Sequence, residues 1–101
     1  MTKILIIGAG KSTSALVRYL NYKSKNYNLH ITIADKDFKT AKNAAHYDST
    51  SALELDIFNT SARQDAIQNS DFVVSMLPAR FHIEVAKDCI KFSKNLATAS
   101  Y

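Results

Sequence analysis

Cysteine, proline and long apolar runs are the scarce features of this chain. One cysteine, Cys89, among 101 residues excludes an internal disulfide framework and fits a reducing compartment, so a cytoplasmic location is expected. No stretch approaches the roughly 18 apolar residues of a membrane helix, and no membrane partner is expected. The N-terminal apolar run, residues 4–7, is too short for the core of a secretion signal. No grouping of Cys and His has the spacing of metal ligands, so no metal site is expected. Repeats, low-complexity tracts and linkers are also missing, which leaves one domain over residues 1–101.

What is present reads as an ordinary globular composition. Hydrophobic residues make up 47% and charged residues 22%, which argues against disorder. The net charge of +4 raises the question of nucleic acid. The thirteen Lys and Arg residues are scattered, however, and only Lys87, Lys91 and Lys94 come near a helical stripe. Nucleic-acid patches are clustered and interleaved with aromatics; a solvated helix face is the reading here, with no nucleic-acid partner expected.

Along the chain, strand and helix signals alternate. "KILIIG" is a continuous apolar run, as expected of a strand buried on both faces. From Ser12 to Tyr22, Leu16, Tyr19 and Leu20 recur at helical spacing, widened by Ala15 and Val17, and "KSKNYN" reads as a loop. "LHITIAD" is a second strand. Phe38, Ala41 and Ala45 mark one face of a second helix, and "SALELDI" is a weak third strand. Asn59 or Thr60 can cap a short helix carrying Ala62 and Ala66. "DFVVSML" is a fourth strand, stopped by the only proline, Pro78. A longer helix follows, with Ile83, Ala86 and Ile90 on one side and lysines on the other, and "NLATAS" is a fifth strand. Alternation every 12 to 15 residues or so is the mark of crossover units on a parallel sheet. The expected fold is therefore α/β, a Rossmann-type doubly wound parallel sheet of about five strands in the order 3-2-1-4-5.

The loop "GAGKST" is the first candidate for chemistry. Gly8 follows a buried strand, where a tight turn can need a positive φ. Gly10 allows close approach of a pyrophosphate, and Lys11, Ser12 and Thr13 open a helix whose free N–H groups favour phosphate. Thr13 stands where the dinucleotide pattern has its third glycine, so the Gly8-Ala9-Gly10 loop is compatible with a dinucleotide cradle or with a plain strand-to-helix turn. Asp35 ends the second strand, where a carboxylate can accept from ribose hydroxyls and repel a 2′-phosphate. That points to NAD; Lys36 beside it leaves NADP open. Asp35 can instead serve the turn into the next helix near Asp37. Asp56 and Ile57, at the end of the third strand, are placed to flank an adenine or to lead into a helix. Ser75-Met76-Leu77-Pro78 ends the fourth strand across the crevice, on the nicotinamide side. Arg80 and His82 begin the long helix, where a histidine is more often structural than catalytic, and Cys89 reads as an inert core thiol.

With these residues in view, "ILIIGAGKS" and the segment "VVSMLPARFHIEVAKDCIKFSKNLATASY" closely resemble the cofactor domain of the saccharopine dehydrogenase (saccharopine reductase) family. The resemblance implies a nicotinamide-binding Rossmann domain with a separate substrate domain. It also implies hydride transfer to or from the C–N bond of a secondary amine, such as saccharopine, in lysine metabolism. By resemblance Gly8, Gly10, Lys11 and Ser12 hold the pyrophosphate and Asp35 the ribose. Asp56 and Ile57 then face the adenine, Leu77 and Pro78 the nicotinamide ribose, and Ser100 and Tyr101 the amino-acid-derived substrate. The chain stops where the family's substrate domain begins, so the domain is expected to be incomplete, to bind a dinucleotide, and to hold no catalytic residue of its own. A sheet ending at its fifth strand leaves an open edge, from which a homo-oligomer is expected. The alternative reading is a non-catalytic Rossmann module that senses a nucleotide.

Overall fold

The computed structural model describes residues 1–99. Within them β1 (Thr2–Ile7), α1 (Lys11–Tyr27), β2 (Leu29–Asp35), α2 (Phe38–Ala44), β3 (Thr50–Glu54), α3 (Thr60–Gln68), β4 (Phe72–Ser75), α4 (His82–Lys91) and β5 (Asn95–Thr98) alternate. The strands form one sheet of order β3-β2-β1-β4-β5, and every neighbouring pair is parallel. The expected doubly wound topology is therefore present, with β1 at the centre and the strand order reversing between β1 and β4.

β1 shows why the sheet has two cores. Side chains alternate across a strand, so Leu5 and Ile7 join Ile67, Val73, Val85 and Cys89 on one face. Ile6 joins Val17, Ile31, Ile33, Ala41 and Ala44 on the other. Both layers are closed to water, as a parallel central strand requires. Each such Leu or Ile contributes about 1.5–3 kcal/mol by leaving water.

The helix faces differ from the sequence expectation in three places. α1 continues through "KSKNYN", which the polarity had marked as a loop. These residues are half-buried or exposed all round its last turns, and the helix stops only at Asn28, whose φ of 52° is left-handed and whose N–H donates to the Ser24 carbonyl. Its buried residues are Thr13 and Val17, with Leu16 and Leu20 packed beside them; Tyr19 is exposed. In α2 the inward pair is Ala41 and Ala44, and Phe38 is exposed.

The largest difference is α4. Its inward face is Val85, Asp88 and Cys89, while Ile83 and Ile90 are 59% and 80% exposed. A buried ion pair sets this register. The Arg63 guanidinium on α3 donates through Nε to Asp88 and through NH1 to the Ile57 carbonyl at 2.6 Å, and Gln64 donates to the other Asp88 oxygen at 3.1 Å. Both charged side chains are 6% exposed, so turning α4 to bury Ile83 and Ile90 would strand two desolvated charges. α4 ends at Lys91, and Lys94 lies beyond it. α3 begins as expected at Asn59, whose side chain accepts the Ala62 N–H.

Candidate functional site

The carboxyl ends of β1, β2 and β4 meet at the glycine loop. Gly8 donates its N–H to the Ala34 carbonyl at 2.8 Å, and Ile7 accepts from the Met76 N–H at 2.8 Å. The loop thus hangs between the two neighbouring strands. Gly8 has φ 103°, and a Cβ there would meet the Met76 backbone at 3.3 Å. This glycine is required by the turn itself. Gly10 differs: it caps α1 in extended conformation, and a Cβ would meet nothing within 4 Å. Glycine is one of the favoured N-cap residues, and at position 10 it also leaves the backbone open to an approaching ligand.

Thr13, at the third-glycine position, is 1% exposed and donates through its hydroxyl to the Gly8 carbonyl. The hydroxyl ties helix to loop where a glycine would only have let them approach.

Asp35 holds the loop from the other side. One carboxylate oxygen accepts the Ala9 N–H at 2.9 Å, and the other accepts the Asp37 N–H at 2.9 Å. The two roles weighed for Asp35, turn residue and ribose acceptor, are thus compatible, because each carboxylate oxygen can accept a second hydrogen bond. Ala9, included in the expected cofactor loop, spends its N–H on Asp35. The N–H groups of the first turn of α1, at Lys11 and Ser12, together with Gly10, are the donors placed for a phosphate.

Two clefts flank this loop. One, of about 290 Å3, is lined by Gly8, Asp35, Lys36, Asp56, Ile57 and Phe58, and closed by Leu77 and Phe81. The second, of about 280 Å3, is lined by Gly10, Lys11, Ser12, Thr13 and Met76. The first has the aliphatic and aromatic walls that a purine needs, with Asp35 at its edge; the second opens on the N-terminus of α1. Together they form a crevice beyond the carboxyl ends of the strands, where ligands bind in this topology.

Most of the expected site residues converge here. Asp56 and Ile57 line the first cleft, but they follow β3 rather than end it: Asp56 accepts the Phe58 N–H at 3.0 Å in a turn leading to α3. Leu77 lines the same cleft, and Pro78 begins the short 3-10 turn Ala79–Phe81. Ser100 and Tyr101 lie outside the described residues. The sequence gives no sign of Phe58, a lone aromatic in a polar loop. Its ring meets Phe81 edge-on at 5.6 Å, and the Arg80 guanidinium lies 4.7 Å from the Phe81 ring. The fully buried Ser75 hydroxyl is hydrogen-bonded to His82 Nδ1 at 2.8 Å, which fixes the imidazole at the head of α4. Cys89 stays in the core; burial pushes its thiol up from the ordinary value, and the Asp88 carboxylate adds to the effect, so it is a poor nucleophile.

Comparisons with known proteins agree with this geometry. The family model of the saccharopine dehydrogenase NADP binding domain matches residues 4–101. Saccharopine dehydrogenase (NADP(+), L-glutamate-forming) of Schizosaccharomyces pombe is 28% identical over 102 residues, covering 100% of this chain and 22% of that protein. Alpha-aminoadipic semialdehyde synthase of Arabidopsis thaliana is 32% identical over 122 residues, covering 100% of this chain and 12% of that protein. The apo saccharopine dehydrogenase (L-Glu forming) of Saccharomyces cerevisiae superposes with a TM-score of 0.84 at 25% identity, over 100% of this chain and 22% of that one. This chain therefore spans about a fifth or less of the length of these relatives. A glycine loop with an open approach at Gly10, two flanking clefts and a match over residues 4–101 lead to one conclusion: the chain belongs to the saccharopine dehydrogenase NADP-binding-domain family, a family of nicotinamide-dinucleotide-binding domains.

Proposed function

We propose that this chain is the cofactor-binding part of an oxidoreductase that makes or breaks the C–N bond of a secondary amine formed from an amino acid, as in saccharopine. The observation that supports the cofactor role is Gly10, open on its Cβ side at the head of α1; the C–N chemistry rests on the likeness to the saccharopine dehydrogenases. Beside it, Asp35 fixes the Ala9 peptide.

The residues present fit a nicotinamide dinucleotide. Gly10, Lys11 and Ser12 present N–H groups, the positive end of a 17-residue helix and an ammonium to the pyrophosphate. Asp35 offers acceptors to the adenosine ribose, and Ile57, Phe58, Leu77 and Phe81 shield the adenine from water. Pro78, the residue after Leu77, supports the nicotinamide ribose, and Ser75 holds the His82 imidazole at the head of α4. When bound, the nicotinamide supplies a hydride donor or acceptor. Ser100 and Tyr101 are the proposed substrate-facing residues, and the rest of the substrate site is proposed to come from outside these 101 residues.

Calorimetric titration of the chain with NADH and with NADPH tests the binding role. Saturable binding of at least one, lost or weakened tenfold or more in Gly10→Val, is expected. Binding of neither, by a chain that is folded by circular dichroism, contradicts it.

A further inference from the structure

The structure assigns a cofactor preference: we infer that this domain takes NAD(H) over NADP(H), because the turn that would have to hold a 2′-phosphate is closed by its own carboxylates. The inference rests on the dinucleotide-binding role and goes against the NADP in the names of its relatives.

The turn between β2 and α2 is where the adenosine ribose meets the protein in this topology. Asp35 lines the cleft there. With one lone-pair position on each oxygen taken by the Ala9 and Asp37 N–H groups, Asp35 keeps acceptor capacity and has nothing to donate. A ribose 2′,3′-diol brings two donors and matches it. A 2′-phosphate brings acceptor oxygens and a charge of about −1.5 to −2, and meets a carboxylate fixed in place by two backbone amides.

Three of the donors that could compensate are already engaged. The Asp37 N–H goes to Asp35. At the start of α2 the Lys39 N–H goes to Asp37 at 3.0 Å, and the Thr40 hydroxyl goes to the second Asp37 oxygen at 3.1 Å. The protein's own carboxylates therefore occupy these three donors. Lys36 is the cation that lines the cleft. It is exposed, a mobile and strongly hydrated point charge rather than a bidentate fork. It is the one lysine lining the cleft, against the carboxylates at 35 and 37, and Lys39 follows in the first turn of α2.

Equilibrium binding of NADH and NADPH to the wild-type chain, Asp35→Asn and Asp37→Ser separates the possibilities, with folding checked by circular dichroism. Wild type is expected to bind NADH at least about tenfold more tightly than NADPH. Asp35→Asn should narrow the ratio at least about fivefold, chiefly by improving NADPH. Asp37→Ser keeps a capping hydroxyl while removing one charge, and should narrow it in the same direction. Wild type binding NADPH as tightly as NADH overturns the preference and leaves the dinucleotide role standing; binding of neither removes both. A wild-type preference unchanged in Asp35→Asn and Asp37→Ser overturns the assignment to these carboxylates. Should Asp35→Asn fail to fold, the wild-type ratio and Asp37→Ser decide.

Discussion

Alanine at Gly8 and alanine at Gly10 should do opposite things, although the two glycines are separated by one residue. At position 8 the backbone has φ 103°, and the new Cβ would lie 3.3 Å from the carbonyl carbon and oxygen of Met76. Holding a non-glycine residue in that region costs about 1–3 kcal/mol. Met76 cannot retreat freely, because its N–H donates to the Ile7 carbonyl in the sheet. A destabilisation of about 2–3 kcal/mol is expected, which lowers the melting temperature of a domain this size by about 10–20 °C. At position 10 the conformation is extended and the space is open. A weaker helix cap is offset by the reduced freedom of the unfolded chain, so stability stays within about 1 kcal/mol of wild type. Dinucleotide affinity should nevertheless fall at least about tenfold in Gly10→Ala, because the methyl occupies the approach to the first turn of α1. Thermal unfolding by circular dichroism and calorimetric titration with NADH read the two quantities separately. A Gly10→Ala chain that melts as early as Gly8→Ala, or binds NADH as wild type does, would refute the division of roles.

Three further outcomes follow from the packing. Asp88→Ala should cost about 3–5 kcal/mol in urea unfolding, because it leaves the buried Arg63 guanidinium without its main partner; a cost below about 1 kcal/mol would contradict the role given to the pair. Thr13→Val keeps the shape but takes the hydroxyl from the Gly8 carbonyl, and should destabilise by about 1–2 kcal/mol. Burial, with the Asp88 carboxylate, raises the Cys89 thiol from its ordinary value in the folded chain, so as pH rises through the ordinary thiol pKa of about 8.5 the unfolded state loses its proton first and stability falls. Unfolding midpoints of wild type and Cys89→Ala between pH 7 and 10.5 or so should diverge at the alkaline end, with the variant declining less steeply; parallel curves would exclude the effect.

Much of the fold was legible because burial wrote itself into the sequence. β1 is apolar at four consecutive positions because both of its faces are covered. Gly8 and Asn59 mark a turn and a cap through backbone demands local to themselves. The face of α4 was not legible: a desolvated charge pair occupies the inward side, and two isoleucines point outward. Periodicity of apolar residues assigns such a helix to the wrong side. The end of α1 was hidden for a related reason, since its last turns are polar all round and only the left-handed Asn28 stops them. In the crevice, positions near strand ends can be read by counting, and Asp35 and Leu77 do line the same cleft. What Asp35 does cannot be read so, because its acceptance of the Ala9 N–H joins residues 26 apart. Phe58 was invisible for the same reason, its partner Phe81 lying beyond another strand.

A nicotinamide dinucleotide is proposed to lie across the glycine loop, with its adenosine half in the cleft between Asp35 and Phe81. Amide chemical-shift mapping of the 15N-labelled chain during titration with NADH tests it most directly. Shifts are expected at residues 8–13, 35–37, 56–58 and 76–82, the segments that surround the two clefts. A further cleft of about 340 Å3 lies elsewhere, lined by Lys3, Thr32, Leu53, Asp65 and Asn69 among others. Shifts gathered there, with the glycine loop unmoved, would contradict this placement.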